Sequence, residues 1–276
     1  MKRTILKSIL EKALIEDIGS GDITTESILE SDKIFTGKLM AKDSGIICGI
    51  DAFEETFNIL DNNIKFKFYK KDGDKCEKSD IIAEITGSGV SILKGERTAL
   101  NIIQHLSGIS TLTSKYVAIA EKYGVQIVDT RKTLPNLRYL QKYAVVKGGG
   151  KNHRMGLYDM VLIKDNHIKA AGGITNAVNL IRKKKNFSVK IEVETFNIKD
   201  VEEALNNKVE IIMLDNFELC DIDKAIEVIN KKAIVEVSGN INLENLEKYC
   251  QKKPDIISVG NLTHSVKAFD MSLKIS

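Results

Sequence analysis

Proline and cysteine are scarce in this chain, and both shortages are informative. Only two prolines interrupt 276 residues, so the backbone has few obligatory breaks and is free to form long regular elements. One of them, Pro135, sits in the most polar stretch of the chain. The four cysteines, Cys48, Cys76, Cys220 and Cys250, show no CxxC or His-Cys spacing. That argues against a zinc site or a disulfide framework and for thiols in a reducing compartment. No apolar run reaches the roughly 18 residues of a membrane span. The N-terminal MKRTILKSILEKALIED breaks its apolar positions with charges every few residues, which argues against a signal peptide. A cytoplasmic protein with no membrane partner is expected.

Charge of one sign is also lacking. Forty-one Lys plus Arg against 38 Asp plus Glu leave a net charge of +3, too little for a broad field that grips nucleic acid, although a local basic pocket is compatible with it. With 43% hydrophobic and 29% charged residues the chain can bury a substantial core and stay soluble. Its length favours one large or two modest domains.

Residues Ile5, Leu6, Ile9, Leu10, Ala13 and Leu14 repeat at helical spacing and stop at the turn Gly19-Ser20-Gly21-Asp22. Segments 34–42, 63–69 and 81–86 read as strands and 50–60 as a helix, an α+β layer. The run 71–85 looks like half of a lipoyl or biotinyl carrier domain, but the modified lysine of such a carrier needs a hairpin tip that is absent here, so a structural loop is expected. From 91 to 122 the spacing is helical, with a break expected at Gly108. Beyond it, apolar strand candidates at 125–129, 158–164, 188–194, 209–214, 232–238 and 255–259 alternate with helical patterns at 136–147, 174–185, 198–206, 217–230 and 241–252. Crossovers of that length demand a parallel sheet.

Two features favour a barrel over an open sheet. In Val189-Lys190-Ile191-Glu192-Val193-Glu194 apolar and charged residues alternate, which turns Lys190, Glu192 and Glu194 into a polar interior, whereas a central strand of an open sheet is apolar on both faces. Strand after strand also ends in chemistry: Asp129-Thr130-Arg131-Lys132, Lys164-Asp165-Asn166, Glu194-Thr195, Asp215-Asn216, Ser238-Gly239-Asn240 and Gly260-Asn261. Such strand ends form the active-site rim of a β/α barrel. The fold class expected is α/β: an N-terminal α+β sandwich domain (1–112, with 266–276 returning to it) and an incomplete, about six-stranded β/α barrel (113–265).

Arg131, Lys132, His153, Arg154 and Lys164 brought to one rim make a cationic mouth suited to a ligand with several negative charges. The glycines 148–150 mark a loop with unusual dihedrals or close approach to a ligand. Glu194 and Asp215 at the same rim suit ribose hydroxyls or Mg²⁺. Ser238-Gly239-Asn240 and Val259-Gly260-Asn261, after the last two strands, suit a phosphate. Taken singly, a Lys or Arg at a strand end is usually only solvated, and Lys183-Lys184-Lys185 reads as an exposed helix end. His105 and His167 carry no assigned role. Convergence of compatible groups at one rim is what points to a phosphorylated-sugar site.

At this point a family is recognisable. ERTALN at 96–101, DTRKTLPNLRYLQKYAVVKGGGKNHRMGLYDMVLIKDNH at 129–167, IEVE at 191–194, MLDNF at 213–217, VSGNI at 237–241 and ISVGNLTHS at 257–265 closely resemble quinolinate phosphoribosyltransferase, the carboxylating nicotinate-nucleotide pyrophosphorylase. The resemblance implies transfer of a phosphoribosyl group from 5-phosphoribosyl 1-diphosphate to quinolinate with Mg²⁺, giving nicotinate mononucleotide, diphosphate and CO₂ for NAD synthesis. It implies that Arg131, His153, Arg154 and Lys164 line the quinolinate pocket with Lys132 near the same rim. It also implies a homodimer or higher oligomer in which Arg97 crosses to the partner's site. Thr130 belongs to the same rim. Glu194 and Asp215 would hold ribose hydroxyls, directly or through Mg²⁺, and Ser238–Asn240 with Val259–Asn261 would cradle the 5-phosphate. Lys132, Lys164, Glu194 and Asp215 are the residues expected at the chemistry. Arg97, Arg131 and Arg154 favour a dicarboxylate over a nicotinate acceptor. Two departures stand out: Thr195 where an apolar residue is common, and Asn240 where glycine is frequent.

Overall fold

The computed structural model describes residues 1–30, 33–184 and 188–275; Lys185, expected at a helix end, lies outside them. In chain order its first elements are α1 (Arg3–Ile18), α2 (Ile23–Ile28), β1 (Ile34–Ala41), β2 (Gly45–Ile46), α3 (Ile50–Leu60), β3 (Lys65–Phe68), β4 (Lys75–Cys76), β5 (Ile81–Ser88) and α4 (Gly89–Ala120). Then come β6 (Gln126–Val128), α5 (Arg138–Lys147), β7 (Val161–Ile163), α6 (Asp165–Ala171), α7 (Ile174–Lys184), β8 (Ile191–Thr195) and α8 (Ile198–Asn206). The chain finishes with β9 (Ile211–Asp215), α9 (Leu219–Ile229), β10 (Ile234–Ser238), α10 (Leu246–Cys250), β11 (Ile256–Ser258), α11 (Asn261–His264) and β12 (Met271–Ile275).

The chain folds into two compact units: Met1–Ser114 with Thr133–Gly149 and Ser265–Ser276, and Lys115–Lys132 with Gly150–His264. The segment 133–149, which the sequence assigns to the barrel, therefore groups with the first unit.

In the first unit Leu6, Leu10 and Leu14 recur every fourth residue and are buried along α1, as an amphipathic helix requires. An antiparallel sheet in the order β12-β1-β5-β3 supplies the other layer. Its inward positions, Leu39, Ala41, Ile82, Ala83 and Ile85, share one core with Phe53 and Phe57 of α3 and Ile92, Ala99 and Ile103 of α4. β12 pairs with β1 from Gly37↔Ile275 to Ala41↔Met271, so the chain end completes this sheet. The run at 71–85 leads from β3 into β5 through β4, which pairs antiparallel with β2, and its first turn is held by the Gly73 N–H donating to Ile47 O at 2.8 Å.

The break expected at Gly108 does not occur: α4 runs unbroken. A Cβ at Gly108 would lie 2.4 Å from Lys267 O, so this glycine serves close approach of the returning chain rather than ending the helix. Gly148 is similar, since its Cβ would meet Ser110 O at 2.4 Å, while Gly149 takes φ +92°. The glycine run thus combines a turn with packing against the protein's own helix.

The second unit is a six-stranded parallel sheet in the order β6-β11-β10-β9-β8-β7. The first strand pairs with the last while β6 and β7 are left unpaired with each other, which makes an incomplete β/α barrel open between its first two strands. Lys151 forms a single parallel bridge with Val128 on the β6 side of that opening. Three expected elements are shorter than their sequence patterns. Lys190 precedes β8 and is exposed, so of the three charged residues expected to turn inward only Glu192 and Glu194 do. Residues 158–160 are not in β7, because the Asp159 carboxylate accepts from the Met155 and Gly156 N–H groups and bends the chain there. Asn242 accepts from Glu244 and Asn245 N–H groups, a side-chain competition that delays α10 until Leu246.

Gly148→Ala should destabilise the protein by about 1–3 kcal/mol, the usual range for overpacking, because both Ser110 O and the Thr113 Cβ stand well inside van der Waals contact. Urea unfolding measures it; an unchanged midpoint would contradict the packing account.

Candidate active site

Parallel strands all end on one side, and the groups that follow them line a cavity of about 580 Å³, an ordinary size for a small-molecule site. Thr130, Arg131 and Lys132 follow β6, His153 and Arg154 follow the Lys151 bridge, and Lys164 follows β7. Glu194, Asp215 and Ser238 are at or next to the C-terminal ends of β8, β9 and β10, with Gly239 and Asn240 beyond. Val259, Gly260 and Asn261 line an adjoining cavity that shares Thr130, Lys132 and Ser238–Asn240. Arg97 belongs to the first unit and is exposed on α4.

The β6 loop is tied at several points. Asp129, fully buried, accepts from the His153 N–H at 2.9 Å. Thr130 Oγ1 accepts from the Lys132 N–H, and Thr263 Oγ1 donates to Lys132 O at 2.7 Å. Lys164 caps α6 with its backbone, donating N–H to His167 Nδ1 at 3.0 Å, which gives His167 a supporting role that the sequence did not reveal.

Charges in the site are matched rather than uniform. Lys164 Nζ contacts Glu194 Oε1 at 2.5 Å, with the carboxylate largely buried and the ammonium half-exposed. Arg154 is 8% exposed. Burial, followed by the neighbouring Arg131 charge, lowers its pKa from the ordinary guanidinium value. An anion entering here would relieve both effects. Below the mouth, Glu192 is raised to about 7 by burial and by Glu236. Burial disfavours charge on the His153 ring, while Glu192 and Glu236 beside its Nε2 favour it and raise its pKa.

Asn216 is named at the rim in the sequence, beside Asp215 in the MLDNF run, but with no role assigned. Its Nδ2 donates to Asp215 Oδ2 at 3.0 Å, its Oδ1 accepts from Asn240 Nδ2 at 3.4 Å, and its N–H donates to Ser238 O at 2.9 Å. One side chain therefore links the ends of β9 and β10. Asn240 has φ +49°, a left-handed position that glycine fills freely and asparagine tolerates. The other departure is equally benign: the buried Thr195 Oγ1 donates to Met213 O at 2.9 Å.

The match to known proteins covers nearly the whole chain. Residues 22–107 match the family model of the quinolinate phosphoribosyl transferase N-terminal domain and residues 109–274 that of its C-terminal domain. The chain belongs to the quinolinate phosphoribosyl transferase family. It is 41% identical to a probable carboxylating nicotinate-nucleotide pyrophosphorylase of Bacillus subtilis, covering 100% of this chain and 95% of the relative. It is 45% identical to the corresponding probable protein of Methanocaldococcus jannaschii, covering 97% and 96%. The crystal structure of NadC from Streptococcus pyogenes, 39% identical, superposes with a TM-score of 0.96 over 100% of this chain and 98% of that one. This quinolinate phosphoribosyl transferase family member contains no described helix long and apolar enough to cross a membrane.

Within the family fold, Gly239 is the tightest point of the site. It has φ +110°, and a Cβ there would lie 2.3 Å from Asn216 Oδ1 and 2.9 Å from Asn216 N. Gly239→Ala should displace Asn216 and the β10 turn together and lower turnover by roughly 100-fold, the scale of a misplacement of about 1 Å. Steady-state kinetics on a folded variant decides it, and near-normal turnover would refute the assignment.

Proposed function

We propose that this protein transfers the 5-phosphoribosyl group from 5-phosphoribosyl 1-diphosphate to quinolinate with loss of CO₂, forming nicotinate mononucleotide and diphosphate for NAD synthesis. The observation that carries the reading is one cavity in which Arg131, Lys132, Arg154 and Lys164 stand with Glu194 and Asp215. Cations suit the dianionic acceptor and the diphosphate; the two carboxylates suit the ribose hydroxyls and a metal ion between them and the substrate oxygens.

Arg131, Arg154 and Lys164 hold the acceptor's carboxylates, with His153 in the same wall, and thereby aim the pyridine nitrogen at the sugar's anomeric carbon. Lys132 lies toward the leaving diphosphate. Glu194 and Asp215 orient the ribose through its hydroxyls, while Ser238, Gly239 and Asn240, with Val259, Gly260 and Asn261, hold the 5-phosphate. The bond from the anomeric carbon to diphosphate breaks ahead of bonding to nitrogen, so positive charge builds on the ribosyl group. Nearby carboxylates stabilise that charge. The nitrogen then supplies its lone pair to the anomeric carbon and becomes a pyridinium. The 2-carboxylate leaves as CO₂, its bonding pair stays on the ring carbon beside that positive nitrogen, and a solvent proton completes the product.

Mg²⁺ fits the donor set: Glu194 and Asp215 are hard oxygen donors on neighbouring strands, and Mg²⁺ is usually bound by one or two carboxylates plus substrate oxygens. When bound it would neutralise charge on the diphosphate. The four free thiols support a cytoplasmic setting. We place Arg97 in the acceptor site of a second copy, so that the working unit is a homodimer or a higher oligomer.

Incubation with quinolinate, 5-phosphoribosyl 1-diphosphate and Mg²⁺ should release CO₂ and nicotinate mononucleotide; chelation should stop it and added Mg²⁺ restore it. Turnover with another base but not with quinolinate would overturn the reading. Arg154→Ala should lower kcat/KM for quinolinate by about 10- to 100-fold, the scale of one or two charge-assisted hydrogen bonds. Arg97→Ala and Lys164→Ala chains, each inactive, should recover activity when mixed into hybrids, and inactive hybrids would refute a shared site.

A further inference from the structure

Two fully buried carboxylates take no part in the reaction described above. Glu192 on β8 and Glu236 on β10 have 0% exposure, and none of their four oxygens has a hydrogen bond of good geometry. Such groups are costly in a protein interior without a compensating neighbour. Both converge on one ring: His153 Nε2 lies 3.0 Å from Glu192 Oε2 and 3.3 Å from Glu236 Oε2.

The other nitrogen of that ring is occupied. The Arg154 N–H points at His153 Nδ1 at 2.8 Å, and a nitrogen that accepts an N–H carries no proton of its own. The ring proton is therefore on Nε2, toward the two carboxylates. The acids favour a charged ring, but a second proton would have to sit on Nδ1 against that N–H. The three ligand atoms, all within 4.8 Å of one another, also suggest a metal ion. A neutral imidazole that ligates through Nε2 must keep its proton on Nδ1 and donate it. Here Nδ1 faces a donor, so the geometry does not suit a metal.

We infer that Glu192 and Glu236 are positioning residues that clamp His153 in its Nε2–H tautomer and, through the Nδ1 bond, set the backbone of Arg154 in the acceptor pocket. His153 then meets the pocket with its ring carbons rather than with an N–H. The ring's backbone is pinned independently by Asp129, and the Arg154 guanidinium reaches Met160 O at 3.3 Å. The clamp thus fixes one arginine of the acceptor site from beneath.

The kinetic consequence rests on quinolinate as acceptor, whereas the tautomer does not. Nitrogen-15 NMR on the full-length protein labelled in its four histidines, with His153 assigned from a His153→Asn variant, should report an Nε2–H ring that Zn²⁺ or Mn²⁺ leaves unmoved. An Nδ1–H ring, a doubly protonated ring or a metal-shifted signal would overturn the clamp even if every carboxylate variant failed to fold. Glu192→Leu should raise KM for quinolinate by at least about 10-fold while sparing KM for 5-phosphoribosyl 1-diphosphate. Glu192→Gln, which keeps an oxygen facing the Nε2–H, should recover most of the loss. Equal changes in both KM values, or no recovery by glutamine, would mean a merely structural role. Failure of the wild-type protein to use quinolinate would sink the proposed function and leave the tautomer measured by NMR unaffected.

Discussion

Parallel pairing is the constraint on which the site depends. Because β7 to β11 and β6 all run the same way, their C-terminal ends share one rim, and residues far apart in sequence meet there. Register sets the depth of each group: Glu194 is level with Met213, and Asp215 with Ser238. A slip of one residue in β9 would turn Asp215 away from the rim and expose part of the strand's apolar set on the wrong face. The apolar core that fixes the register is therefore also what fixes the chemistry.

Bringing charges together has its own cost, which the site meets by local pairing. Lys164 and Glu194 neutralise each other at 2.5 Å, so neither stands alone when the cavity holds only water. Arg154 is nearly buried and next to Arg131, an unfavourable arrangement for two cations that an incoming anion would relieve. Pairing of this kind contributes little net stability, since desolvation offsets the attraction. Its value is geometric: Asn216 links Asp215 to Asn240, and Thr263 holds the Lys132 carbonyl.

Much of this was legible in the sequence because it depends on periodicity and on strand ends. The alternation of Ile191-Glu192-Val193-Glu194 told the barrel interior from a helix-covered face, and each strand end carried its polar residues in plain view. What escaped was set by tertiary contact. Gly108 read as a helix break because nothing local shows that Lys267 O approaches it. The segment 133–149 read as part of the barrel because its helix follows a barrel strand, yet its partners are those of the first unit: Gln141 bonds His105, and Tyr143 donates to Asp72. Asn216 was visible, but its purpose required knowing that Gly239 lies against it.

The polar interior of the barrel shows the same limit most clearly. Alternation correctly turned Glu192 inward, and an inward glutamate among parallel strands needs a partner. Local spacing gives no means of choosing one, because the partner ring enters through the opening between β6 and β7 rather than along a strand. Lys151 bridges β6 at that opening, and two residues later His153 reaches the carboxylates from β8 and β10 on either side of β9. A closed barrel would have filled this gap with strand. Leaving it open lets a loop deliver His153 and Arg154 together, one residue turned down to the buried acids and the next held at the cavity.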